Sequence, residues 1–91
     1  MYESQHKVID VIERHGGLWP RDKILLKLQE ELGELVKAFR KRDRDNQEEE
    51  IGDVAFALLC LAMVENHDIE KALDRAIIKH KTRPKQTYYD I

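Results

Sequence analysis

Ninety-one residues make one domain at roughly 150 residues per domain, and sixteen Lys plus Arg against eighteen Asp plus Glu leave a net charge of -2. That balance lacks the basic excess of a nucleic-acid binder, two prolines and four glycines argue against a turn-rich β architecture, and the lone Cys60 cannot form an internal disulfide. The opening MYESQHKVID has neither the basic nor the apolar stretch of a secretory leader, and the longest apolar run, Val54 to Val64, is eleven residues, short of the ~18 that span a bilayer. The expectation is one soluble, cytoplasmic, all-α domain over residues 1–91, with no nucleic-acid or membrane partner.

Helical spacing appears in four segments. The first, about Glu3 to His15, sets Val8, Val11 and Ile12 on one stripe and stops at Gly16-Gly17, since glycine supplies the left-handed residue past a helix end. The second runs from about Asp22 to Phe39 or a little beyond, with Ile24, Leu28, Leu32, Leu35 and Phe39 forming a one-sided apolar face. Arg40, Lys41 and Arg42 suit the negative end of its dipole, and residues 43–46 read as a polar connector. A third helix is predicted to start on Asn46 as N-cap, with Glu49 as capping-box partner, and to reach about Glu65. From Val54 to Val64 it is apolar on every side, which requires cover on more than one side. Asp68 caps a fourth helix ending near Lys81; Pro84 blocks its extension, and Tyr88 to Ile91 form a short tail.

One pattern occurs twice. Glu30-Glu31-Leu32-Gly33-Glu34-Leu35 and Glu49-Glu50-Ile51-Gly52-Asp53-Val54 are nineteen residues apart and obey one rule: acid, acid, aliphatic, glycine, acid, aliphatic. A glycine inside a helix costs ~1 kcal/mol against alanine, so its repetition suggests close backbone approach between paired helices. Residues three apart are neighbours on a helix, and Glu31 with Glu34, and Glu50 with Asp53, each form a carboxylate pair beside an inward aliphatic. In an antiparallel hairpin up to four carboxylates converge, and such a group must protonate or find a cation. Oxygen ligands suit a hard ion, Mg²⁺ or Mn²⁺. With the second helix run to Arg42 and the third capped at Asn46 the pairs miss by about one turn; they face each other better if the second helix ends near Phe39 or Arg40. Glu48 and Glu49 read as ordinary first-turn dipole partners.

At these residues the chain resembles the MazG-type nucleoside triphosphate pyrophosphohydrolases of the all-α NTP pyrophosphatase superfamily. Their motif, Glu-Glu-x-x-Glu, a variable spacer, then Glu-x-x-Asp, is matched by Glu30-Glu31-Leu32-Gly33-Glu34, fifteen residues, and Glu50-Ile51-Gly52-Asp53. The likeness runs from about Leu25 to Arg83. It implies a four-helix bundle-like subunit, an acidic Mg²⁺ site, and cleavage of a (d)NTP to monophosphate and pyrophosphate. By position, Glu31, Glu34, Glu50 and Asp53 are the implied metal ligands, with Glu31 or Glu34 as general base. Lys79 and Arg83 resemble the family's late phosphate-facing cations. The Glu-Ile-Gly-Asp-Val second motif departs from the Glu-Ala-x-Asp-Leu of phosphoribosyl-ATP pyrophosphohydrolases, the second enzymatic reading. A non-catalytic helical interaction module is the third.

Outside the motif, Lys27 lies one turn before Glu31 and is placed to pair with it or to reach a phosphate. Trp19, between Gly17 and Pro20, is expected to pack over a helix start. His6, His15, His67 and His80 have no shared metal spacing, and Cys60 is expected to be buried and inert. So apolar a third helix, in a chain this short, leads us to expect a homo-oligomer, a dimer or tetramer, that completes the bundle.

Overall fold

Four helices follow from these patterns in the computed structural model, which describes residues 2–83: α1, Tyr2–Arg14; α2, Arg21–Arg40; α3, Arg44–Val64; and α4, Ile69–Thr82. No strand occurs among the described residues. The segment from Pro84 to Ile91, where the sequence suggests a helix stop and a tail, lies outside them. Gly16 and Gly17 take positive φ, 92° and 105°, and the Gly17 amide donates to the Ile12 carbonyl at 2.9 Å, closing α1. No side chain caps α2; the Pro20 carbonyl instead accepts from the Lys23 and Ile24 amides at 3.0 and 3.1 Å. Asp68 caps α4 as expected, its Oδ1 accepting from the Glu70 and Lys71 amides.

The start of α3 corrects the sequence reading. Asp43, not Asn46, is the N-cap, and its side chain accepts the Asn46 amide at 3.2 Å. Both residues carry a capping oxygen, and the earlier one captures the helix because Arg42 adopts a left-handed φ of 55°. That reversal leaves only residues 41–43 between α2 and α3. The change resolves the register. Glu31 and Glu34 lie about 9–14 Å back from Arg40, and Glu50 and Asp53 about 10–15 Å on from Asp43, at ~1.5 Å per residue. The two acidic motifs are therefore level.

The α2–α3 pair is the frame of the subunit. Its antiparallel sense is marked at the open end, where Arg21 Nε lies 3.3 Å from Glu65 Oε1 and the same distance from Asp22 Oδ1. Val8 of α1, Ile24 of α2 and Leu59 and Cys60 of α3 form the core at that end, with Ile12, Leu61, Met63, Val64 and Ile69 packed against it. No large side chain is fully enclosed among the described residues, and α4 contributes no buried residue. On α2, Leu25, Leu32, Val36 and Phe39 stay 43–51% exposed, and Ile51 and Leu58 of α3 are 53% and 43% exposed. The apolar circumference of α3 is thus covered by α2 and in part by α1, and open on its remaining side.

Gly33 and Gly52 also depart from expectation. A Cβ built on either meets nothing within 4 Å, so neither glycine lets the helices of this subunit approach each other. The reason is position: the hairpin closes through Ala38, Gln47 and Ala57, and both glycines sit on exposed turns. Gly33→Ala and Gly52→Ala are each expected to preserve stability or raise it by up to about 1 kcal/mol in urea melts. A clear loss in either would place another backbone against that turn.

Candidate functional site

Halfway along the hairpin the two motifs face each other. Glu31 on α2 is only 9% exposed. Glu50 and Asp53, three apart on α3, turn toward it, and one carboxylate oxygen from each of the three lies within 4.8 Å of the others. Glu50 Oε2 is buried and has no hydrogen-bond partner. Burial first, then Glu31 beside it, then the charges of Asp53 and Glu34, push the Glu50 carboxyl above its ordinary value of 4.5. A buried carboxylate oxygen without a donor is costly. A divalent cation bound by oxygens alone would remove that cost, so the donor set fits a hard metal.

Of the four expected ligands the structure thus gathers three. Glu34 is exposed one turn beyond Glu31, outside the trio yet close enough to act on Glu50. Lys27 Nζ lies 3.1 Å from Glu31 Oε1, the i,i+4 ion pair that the sequence suggested. That contact, followed by the Glu30 charge, raises the Lys27 ammonium above its ordinary value.

Two of the three acids, Glu31 and Asp53, open onto a hollow of about 470 Å³, while Glu50 lies behind them. Lys27, Glu31 and Asp53 form its polar end. Trp19, Phe56, Leu18, Val11, Ile12 and Ala57 form apolar walls, with Cys60 and His15 also lining it. Burial raises the Cys60 thiol, as expected of an inert cysteine. Trp19 meets the first turn of α2 through Lys23, as anticipated, and also lines the hollow. It is half-exposed on the wall of the hollow, with the Lys23 ammonium 4.3 Å from the ring centroid. Lys79, exposed in the last turn of α4, and Arg83, its C-cap, are not among the residues that line the hollow. Sequence reasoning missed Phe56 because the run around it is uniformly apolar, and gave His15 no role beyond excluding a zinc pattern. The hairpin register, once known, would have brought Phe56 to the level of Lys27.

Residues 20–88 match the family model of the MazG nucleotide pyrophosphohydrolase domain. The chain belongs to this family. Its members are hydrolases, and the likeness extends to three dimensions. A crystal structure of the Bacillus-conserved MazG protein, a nucleotide pyrophosphohydrolase, has a TM-score of 0.81 and 31% identity, covering 92% of each chain. An uncharacterised protein of Bacillus subtilis (strain 168), YpjD, is 39% identical over 75 residues, 71% of this chain and 68% of that one. No described helix is long and apolar enough to cross a membrane.

The raised Glu50 carboxyl carries a pH signature in the metal-free protein. Folding takes up a proton between 4.5 and the raised value, so the stability linked to Glu50 is complete below 4.5 and is lost as pH climbs through the folded value. Glu50→Gln, which mimics the neutral acid, should match the parent near pH 4.5 and exceed it at about pH 8. Chelator-treated samples melted across that range check this; a gap that stays constant or narrows with pH would contradict it.

Proposed function

We propose that the protein hydrolyses a nucleoside triphosphate, (d)NTP, to the monophosphate and pyrophosphate, with Mg²⁺ as its cofactor and Mn²⁺ as a working substitute. The observation that supports this most is the orphaned, buried Glu50 oxygen in a carboxylate trio whose other two members, Glu31 and Asp53, line an apolar hollow of about 470 Å³. Glu31, Glu50 and Asp53 would hold the ion, and Glu34 is the candidate fourth ligand. Bound there, Mg²⁺ would supply positive charge to triphosphate oxygens that bare carboxylates repel.

The chain's own groups account for the remaining requirements. Glu31 or Glu34 takes the proton of the attacking water as general base. Lys27 is the first candidate for phosphate contact, because it alone of the three basic candidates lines the hollow; an ammonium has three donors and spends one on Glu31. Lys79 and Arg83 on α4 are the further phosphate candidates. The hollow takes the base and sugar, with the Trp19 and Phe56 rings offering apolar faces and His15 a polar edge. A cytoplasmic location, where nucleoside triphosphates are abundant, completes the reading.

We also propose a homodimer, or a tetramer built from it. Leu25, Leu32, Val36 and Phe39 of α2 and Ile51 and Leu58 of α3 are exposed apolar side chains on the hairpin, and apolar surface of this kind marks interfaces. Light scattering at micromolar concentration should give at least two chains per particle. A single-chain mass with full activity would contradict the dimer.

Product analysis tests the activity. With Mg²⁺, at least one common (d)NTP should yield monophosphate and pyrophosphate, and Glu50→Ala or Asp53→Ala should reduce the rate at least ~100-fold. Release of orthophosphate and diphosphate, or undiminished turnover by either variant, would overturn the reading.

A further inference from the structure

Lys27 and Glu31 sit one turn apart on α2, and their contact has a direction. Side chains on a helix tilt toward its N-terminus, so Glu31 leans back over the turn that carries Lys27. The ammonium engages Glu31 Oε1 at 3.1 Å. A carboxylate has two oxygens, and a contact from Lys27 to one of them restrains how the group can turn while it offers an oxygen to the trio. Glu31 is 9% exposed, so little water competes for that oxygen. Glu50 and Asp53 approach from α3, across the hairpin. The Lys27 side chain remains 46% exposed, which makes it a rim residue whose removal leaves the core intact.

We infer that Lys27 is a positioning residue for the metal centre: it holds Glu31 in the orientation that binds the ion. The inference rests on the proposed metal reading of the trio and adds a role that neither the acidic motif nor an electrostatic count supplies. Charge alone argues the opposite way. A cation beside three carboxylates repels a second cation, and deleting it should tighten metal binding. An orienting partner of a metal ligand behaves differently, since losing it typically costs 10–100-fold in metal affinity. The sign of the change therefore separates a positioning role from a mere counter-charge.

The test is calorimetric titration of the full chain with Mn²⁺ alone, without nucleotide, for the parent, Lys27→Met and Lys27→Arg. Met keeps the length and apolar stem of the side chain, and Arg restores a donor to Glu31. Lys27→Met is expected to bind Mn²⁺ at least ~10-fold more weakly while remaining folded in chelator, and Lys27→Arg to recover most of the affinity. Equal or tighter binding by Lys27→Met overturns the positioning role while leaving the metal reading intact. Failure of Lys27→Arg to recover affinity also overturns it, because the contact with Glu31 would then not be what matters. Absence of Mn²⁺ binding by the parent overturns the metal reading itself, and the positioning role with it.

Discussion

Repulsion among carboxylates held in the middle of a hairpin is the constraint on which the rest of this subunit turns. Glu31, Glu50 and Asp53 bring an oxygen each within 4.8 Å of the others, and one oxygen of Glu50 has lost water without gaining a donor. A fold does not gain stability from such a group. The cost is carried by the elements on either side: the core of Val8, Ile24, Leu59 and Cys60 toward the open end, and the Asp43 cap and three-residue turn at the closed end. The site is strained in charge and the scaffold around it is ordinary helix packing, a division common where chemistry is done.

The hairpin serves three surfaces at once. One face closes on itself and carries the acids. A second, with α1 and the segment before α2, encloses the hollow between Trp19 and Phe56. The third, from Leu25 to Phe39 on α2 and Ile51 to Leu58 on α3, is apolar and uncovered. On the proposed assembly a second copy covers this third face, and the same two helices that place the acids would then also set the oligomer. Substitutions on the uncovered face would reach the acids through helix position rather than through contact.

Much of this was legible in the residues, for identifiable reasons. Four helices follow from apolar spacing, and the ends at Gly16-Gly17 and Asp68 follow from backbone chemistry that those residues impose. The duplicated motif located the acids, and the Lys27–Glu31 pair is a simple consequence of four-residue spacing. The first turn of α3 was misplaced because Asn46 followed by Glu49 satisfies the capping-box pattern, while the left-handed Arg42 that favours Asp43 has no sequence signature. The glycines misled for a related reason: a repeated helix cost signals a constraint, but their surroundings in this subunit are open. The hollow was not legible at all. It exists only where the end of α1, the loop bearing Trp19 and the α3 face bearing Phe56 meet, and no local pattern encodes that meeting.

Family membership establishes a nucleotide pyrophosphohydrolase domain, and on the proposed reading a bound cation would tie the acid trio to that chemistry. Where the ion sits is therefore the most direct question. Crystals grown with Mn²⁺ and recorded above and below its absorption edge would show it as an anomalous peak. A peak ligated by Glu31, Glu50 and Asp53, at about 2.0–2.3 Å from their oxygens, is the predicted result. A peak held by other residues, or none between α2 and α3 at saturating Mn²⁺, would contradict the metal-centred reading of the site.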